Sequence, residues 1–517
     1  MKLFRSTLVV GGNTLISRVF GFVRDMVMAW SFGAAPATDA FFVAFRIPNF
    51  LRRLFAEGSF SLAFVPVFQE YRERRSPEEL RALVDRVTGT LAGVLLVVTG
   101  VGILAAPGVV AVFAPGFTDD PATFSLAAGM LRVTFPYLLF ISLTALAGGI
   151  LNSLGRFAVP AFTPVLLNIS LIGAALWAAP HFAQPVTALA WGVLVAGAAQ
   201  FLFQVPALAR AGLLPRPRWG WRDAGVRKIL RLMVPTLFGS SVAQVNLLVD
   251  TLIASLLASG SITWLYYSDR LMEFPLGVFA IALSTVILPD LSRHHAREDP
   301  VTFSATLDWA LRLAVVIGLP AAVGLGVLAR PALSALFEYR AFTGGDVFMA
   351  SLSLSAFAAG LPAFIGIKVL APGFYSRQDT ATPVKVAVAA MLANILFSLL
   401  IVGPLWWHSV PGAHAGLATA SSLAGYLNAG TLLVLLRRSG NYTPAAGWAA
   451  LLGRAGAACV FMGLAVAWLS AQAGSLGHMP ALERVGRLAA MVAGGALVYG
   501  VALLVSGFRP RHLRHQA

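Results

Sequence analysis

The 517 residues are 58% hydrophobic and only 12% charged, with a mean hydropathy of +0.79, more apolar surface than a water-soluble core can absorb, so the bilayer must be the solvent. The formal charge of +16 would suit nucleic acid, but Lys and Arg stand in small groups between apolar runs instead of one basic domain with interleaved aromatics, which argues against a nucleic-acid partner. A single cysteine, Cys459, excludes an internal disulfide and redox work, and the histidines lack the i, i+4 pairing of a zinc site, so neither a metal nor a cofactor is expected.

Apolar stretches of about twenty residues recur from end to end. They predict an all-α polytopic membrane protein of about fourteen transmembrane helices, near 8–32, 39–69, 87–113, 124–152, 159–179, 186–209, 232–257, 263–290, 305–336, 349–373, 382–403, 411–436, 450–472 and 484–507. The first run follows Lys2 and Arg5 like a signal peptide. Arg18 interrupts it and no small-residue cleavage site follows, so it reads as a retained helix.

The loops give an independent check. After every even-numbered span come basic residues: Arg72, Arg74 and Arg75, then Arg156, Arg210 to Arg231, Arg293 and Arg297, Arg377, and Arg437 and Arg438. The intervening loops are poor in Lys and Arg, with Arg340 the one clear exception. Positive charge resists translocation, so both termini are expected in the cytoplasm and the number of spans is even.

The chain also repeats itself weakly. Ser153, Ala158 and Pro160 recur as Ser376, Ala381 and Pro383 at one constant offset, each set in the turn after an even-numbered span. A shift of six spans makes the two halves parallel, with a cleft between them. The expected organisation is a lobe over 1–222 (spans one to six), a second over 223–440 (seven to twelve), and an addition over 441–517 with spans thirteen and fourteen and a basic tail: two pseudo-symmetric six-helix lobes around a central cationic cavity.

Charges inside the spans point to that cavity. Each costs at least about 2.5 kcal/mol at a helix centre. Span one carries Arg18, Arg24 and Asp25; span two carries Asp39, Arg46, Arg52, Arg53 and Glu57; span eight carries Asp269, Arg270 and Glu273. Arg18 and Asp25 are seven apart, as are Arg46 and Arg53, and Asp269 and Glu273 are four apart, so each pair shares a helix face. At about 1.5 Å per residue Arg24 lies roughly 12 Å from the nearer end of its span, too deep for easy snorkelling. Internal neutralisation, of Arg24 by Asp25 and of Arg270 by Asp269, is the structural alternative. Even then the arginines outnumber the carboxylates, and guanidinium forks suit phosphate. Pro48 and Pro275 interrupt two of the charged spans and offer bends. Asp250, a lone acid in span seven, is a candidate for Na⁺ or proton coupling together with Asn394 of span eleven, against a plain hydrogen-bonded acid. Lys368 of span ten either completes an anion site or balances a carboxylate.

Several longer motifs are specific. Ser17-Arg18-Val19-Phe20-Gly21-Phe22-Val23-Arg24-Asp25, Thr38-Asp39-Ala40-Phe41-Phe42, Asn49-Phe50-Leu51-Arg52-Arg53-Leu54-Phe55-Ala56-Glu57-Gly58, Tyr267-Ser268-Asp269-Arg270-Leu271-Met272-Glu273-Phe274-Pro275 and Pro372-Gly373-Phe374-Tyr375-Ser376-Arg377-Gln378-Asp379 resemble the MurJ (MviN) lipid II flippase family, essentially over the whole chain. The resemblance implies the multidrug/oligosaccharidyl-lipid/polysaccharide exporter fold, with the last two helices forming a groove for a lipid tail. It implies that Arg18, Arg24, Asp39, Arg52 and Arg270 are positions on which function depends.

The expected activity is then export, not catalysis: lipid II, undecaprenyl-diphosphate-MurNAc-pentapeptide-GlcNAc, would move across the bacterial inner membrane by alternating access, aided by membrane potential or an ion gradient. Membrane lipids and other cell-wall synthesis proteins are the expected partners. A flippase for another polyprenyl-linked glycan and an ion-coupled multidrug exporter are the rivals, though cationic drugs would want an acidic or aromatic cavity. A glycosyl- or phosphosugar-transferase would need clustered acids, and the basic loops offer only scattered ones.

Overall fold

The computed structural model describes residues 2–53, 60–474 and 476–509, and among these no strand occurs. The first expected span is α1 (Lys2–Phe32), and the second divides into α2 (Pro36–Arg52) and α3 (Ser61–Arg74). The third starts ten residues early, as α4 (Pro77–Leu104), and continues into α5 (Ala106–Phe113). Its start is set by Ser76, whose hydroxyl accepts from the Glu79 amide while Glu79 accepts from the Ser76 amide, with Pro77 at the first helical position.

The fourth span is α6 (Pro121–Thr134) and α7 (Tyr137–Ser153), parted at Pro136. Then come α8 (Ala158–Gly173), α9 (Thr187–Arg210) and α10 (Ala224–Ser255), the last capped by Asp223. The eighth span is α11 (Ser261–Pro275) and α12 (Ile281–Ala296) around a π-helical turn at Leu276–Ala280. Pro275 has no N–H to give the ladder, and the regular α-helix gives way there to the π-helical turn. The ninth is α13 (Pro300–Val327) and α14 (Ala329–Phe337); α15 (Gly344–Tyr375), α16 (Ala381–Trp407), α17 (Ala415–Arg438), α18 (Trp448–Ala473) and α19 (Ala481–Val505) complete the chain.

Eleven helical stretches among the described residues are long and apolar enough to cross a membrane. The expected spans missing from that set are the first, second and seventh. Arg18, Arg24 and Asp25 interrupt the first, and Asp39, Arg46, Arg52 and Arg53 the second.

By packing alone the chain forms two compact units, Met1–Ile262 and Thr263–Ala517. In the first, α10 packs on α2, α3, α4 and α5. Phe60, Phe64 and Phe68 stack along one face of α3 and fill a core with Leu83, Val87, Ile150, Leu208, Ile229 and Met233. In the second, α15 pairs most extensively with α17, where Gly360 leaves no room for a side chain against Ser422 and Gly425 none against Phe364. In lipid, such small residues let backbones approach and gain dispersion energy, which replaces the hydrophobic drive between helices. The last two helices, α18 and α19, pack on α13 and α14 through Cys459, Met462, Val466, Met491 and Tyr499.

Candidate functional site

The charged residues picked out by sequence fall into separate groups. The first joins α1 to α8. Arg24 is only 5% exposed and Asp25 3%. Arg24 Nε and Nη2 donate to Asp25 Oδ1 at 2.9 and 2.6 Å, and its Nη1 donates to Asn168 Oδ1 at 3.1 Å. Asn168 Nδ2 in turn donates to the Ser17 carbonyl at 3.1 Å, fixing which way its amide points. A buried guanidinium is tolerable only with such a carboxylate and acceptors around it. Asp25 therefore pairs with Arg24, the internal neutralisation expected as the structural alternative. Arg18 is exposed and makes no hydrogen bond or ion pair among the described residues.

The second group is a seam between α2 and α10. Asp39 Oδ2 accepts from the Gly260 amide at 2.6 Å, Arg46 Nη1 donates to Thr251 Oγ1 at 2.7 Å, and Arg53 Nη1 reaches Gln244 Oε1 at 3.5 Å. Asp39, Arg46 and Arg53 are spaced by sevens, so they line one face of α2, and their partners descend α10 in the opposite order. The stripe seen in the sequence is real; it faces span seven. Gly260, at φ 94°, makes the turn that presents its amide to Asp39. At the same end Gly116 lies too close to the Ser255 backbone for any side chain, and its amide donates to Ser255 Oγ at 3.2 Å. Arg52, half-buried, donates to Asn49 Oδ1 at 2.9 Å. Glu57 lies outside the described residues.

The third group is on α11. Arg270 Nη1 donates to Glu273 Oε2 at 3.0 Å, and Nε and Nη2 both reach the Tyr266 hydroxyl at 3.3 Å with the guanidinium over that ring. Asp269 is half-buried beside it. About a third of the Arg270 side chain stays accessible, in contrast to Arg24.

Lys368 is exposed on α15 and forms no ion pair among the described residues. Asp250 takes a hydrogen bond at 3.2 Å from Asn246, one turn earlier on its own helix. Asn394 is occupied within its own unit: Nδ2 donates to Ser421 Oγ at 2.9 Å and Oδ1 accepts from Ser398 at 3.2 Å. No cluster of three metal-ligating side chains occurs among the described residues.

A sequence profile described as "Lipid II flippase MurJ" matches residues 28–482. The chain belongs to the MurJ lipid II flippase family. A relative from Haemophilus influenzae, "Probable lipid II flippase MurJ", is 46% identical over 97% of this chain and 99% of its own length. The solved structure "Lipid II flippase MurJ, inward closed conformation" covers 98% of this chain at a TM-score of 0.78 and 25% identity. An inward-facing multidrug-resistance transporter of the MOP superfamily matches over 84% of the chain at a TM-score of 0.69; its 12% identity speaks for the fold alone. The exporter fold expected from the sequence is thereby found.

Sequence reading missed the partners. Asn168, an amide in an apolar span, left a visible signal. Thr251, Gln244 and Gly260 left none, because hydroxyls, amides and glycines are ordinary in buried helices and turns.

Proposed function

We propose that this chain carries lipid II from the cytoplasmic to the periplasmic leaflet of the bacterial inner membrane by alternating access, without catalysing a reaction on it. The observation that carries this reading is the Arg24–Asp25–Asn168 cluster: a guanidinium buried among apolar helices that brings its own counter-carboxylate. Such a cluster is a diphosphate site at rest. A bound diphosphate takes over the role of Asp25, offering more acceptor oxygens to the same fork. Arg270, more accessible and steered by Glu273 and Tyr266, is a further guanidinium fork suited to phosphate, and Arg18, exposed and without an ion pair among the described residues, is an approach residue. Asp39 holds the start of α2 in place, and Arg52 stands at its other end.

The membrane potential then helps in both half-cycles, at about 2.3 kcal/mol per charge per 100 mV. An anionic headgroup is driven outward, and an emptied cationic site is drawn back. Asp250, beside Asn246, is the candidate for a coupling ion. The bonds of Asn394 to Ser421 and Ser398 leave it a supporting role at most. Both termini lie in the cytoplasm on this reading, as the basic loops require. The test is headgroup exposure at the outer face in cells carrying Arg24→Ala or Arg270→Ala.

A further inference from the structure

The first unit holds a second feature that the transport reading does not use. A crevice of about 440 Å³ runs between α4, α7 and α10. Val87, Leu91, Val94, Val98, Ile229 and Met233 are among its walls, and its lining is apolar apart from Thr90 and Ser142. Thr90 accepts from the Gly220 amide at 3.0 Å, while the buried Ser142 hydroxyl has no partner. Its size falls within the range of about 300–1,000 Å³ seen in ligand pockets.

A strap, residues 213–222, lies across α4 at the mouth. Asp85 accepts the Arg216 amide at 2.7 Å on its side chain and the Arg218 amide at 3.0 Å on its carbonyl. Gly89 and Gly93 leave no space for a side chain beneath Arg218 and Trp219. Trp219 and Trp221 stack at 6.3 Å, 66% and 47% exposed. A second depression, lined by Arg86, Trp219, Trp221, Arg222 and Asp223, shares Val94 and Trp221 with the crevice, so the two are continuous. Arg86 is paired to Asp223, whereas Arg222 is exposed and forms no ion pair among the described residues.

The Arg-rich loops before α4 and α10 put this mouth at the cytoplasmic surface, with Trp at headgroup level and the crevice running inward from Arg86 to Val98, about 18 Å. We propose that this is a binding site for a bilayer phospholipid with an anionic headgroup. One acyl chain fills the crevice, the phosphate meets Arg222 at the rim, and the Trp pair flanks the glycerol. The ligand is a bilayer lipid and not the transported one: the crevice is sized for one chain of ordinary length, and its helices are not those that hold Arg24.

The full-length protein in detergent, titrated with phosphatidylglycerol or phosphatidylcholine and read by native mass spectrometry, tests this. One phosphatidylglycerol is expected to be retained in preference to phosphatidylcholine. Val94→Trp, which fills the crevice, and Arg222→Gln, an exposed change that leaves the fold alone, should each weaken retention by about tenfold, the usual cost of one charge-assisted contact or one blocked subsite. Equal retention of the two lipids, retention unchanged in both variants, or displacement of phosphatidylglycerol by equimolar lipid II would overturn the proposal.

Discussion

Asp39, in the first turn of α2, accepts the Gly260 amide at 2.6 Å and so ties the start of α2 to the turn after α10. Both groups are buried. Below it the Arg46–Thr251 and Arg53–Gln244 contacts continue one seam. In a transporter that opens alternately, polar contacts of this kind are ones that water can replace.

Removing the top contact should loosen the seam. Asp39→Ala leaves a buried amide unsatisfied, at about 1–3 kcal/mol. In a Cys459→Ser background, a cysteine at Thr251 should become several-fold more reactive toward an externally added thiol reagent when Asp39→Ala is present. Unchanged labelling would mean that the Asp39–Gly260 contact does not close the seam.

The Arg24 cluster separates stability from transport. Asp25→Asn strands a buried guanidinium and should cost about 3–5 kcal/mol, read as a fall in the thermal unfolding midpoint. The double variant Arg24→Met with Asp25→Met removes both charges and should recover most of that stability while staying inactive. Activity in the stable double variant would show that the pair is only structural.

His414 gives a pH signature. It is 1% exposed in the loop between α16 and α17, bonded to the Met349 carbonyl at 3.0 Å and packed on Trp264. Burial pushes its pKa down from 6.5 to about 4. The unfolded chain therefore binds the proton first: this part of the stability is intact above pH 6.5, drains away as pH falls toward 4, and amounts to roughly 3 kcal/mol over that window. Thermal unfolding at pH 8 and pH 5 should show the loss in the parent, and a flatter profile in His414→Gln.

Asp308 anchors the last two helices. It accepts from Arg312 Nε at 2.6 Å, Trp448 Nε1 at 2.7 Å, the Tyr442 hydroxyl at 2.9 Å and the Ala445 amide at 3.2 Å. Asp308→Ala takes the carboxylate from Arg312, which keeps the Ala445 and Ala446 carbonyls, strands three other donors and should cost about 3–5 kcal/mol. Faster proteolysis in the linker over 439–447 would report it; cleavage at the parental rate would not fit.

Much of the fold was legible because bilayer thickness acts on the sequence directly. Span lengths and the interruption of the eighth span at Pro275 are examples. The breaks at Ala105, Pro136 and Leu328 were not, since an apolar run reads the same whether it makes one helix or two. The face shared by Arg46 and Arg53 followed from their spacing, but spacing is silent on what lies opposite. Arg18 and Asp25 share a helix face by their spacing, yet Asp25 pairs with Arg24, the internal neutralisation expected as the structural alternative, because a long guanidinium can curl onto its own neighbour in sequence. Thr251 and Gly260 gain meaning only from the residues that reach them.

The central claim, that export of lipid II depends on Arg24 and on Arg270, is tested most directly by labelling lipid II headgroups at the outer face of cells that depend on this chain. Arg24→Ala and Arg270→Ala should each abolish the labelling while the protein remains folded in the membrane. Undiminished labelling in both variants would contradict the account.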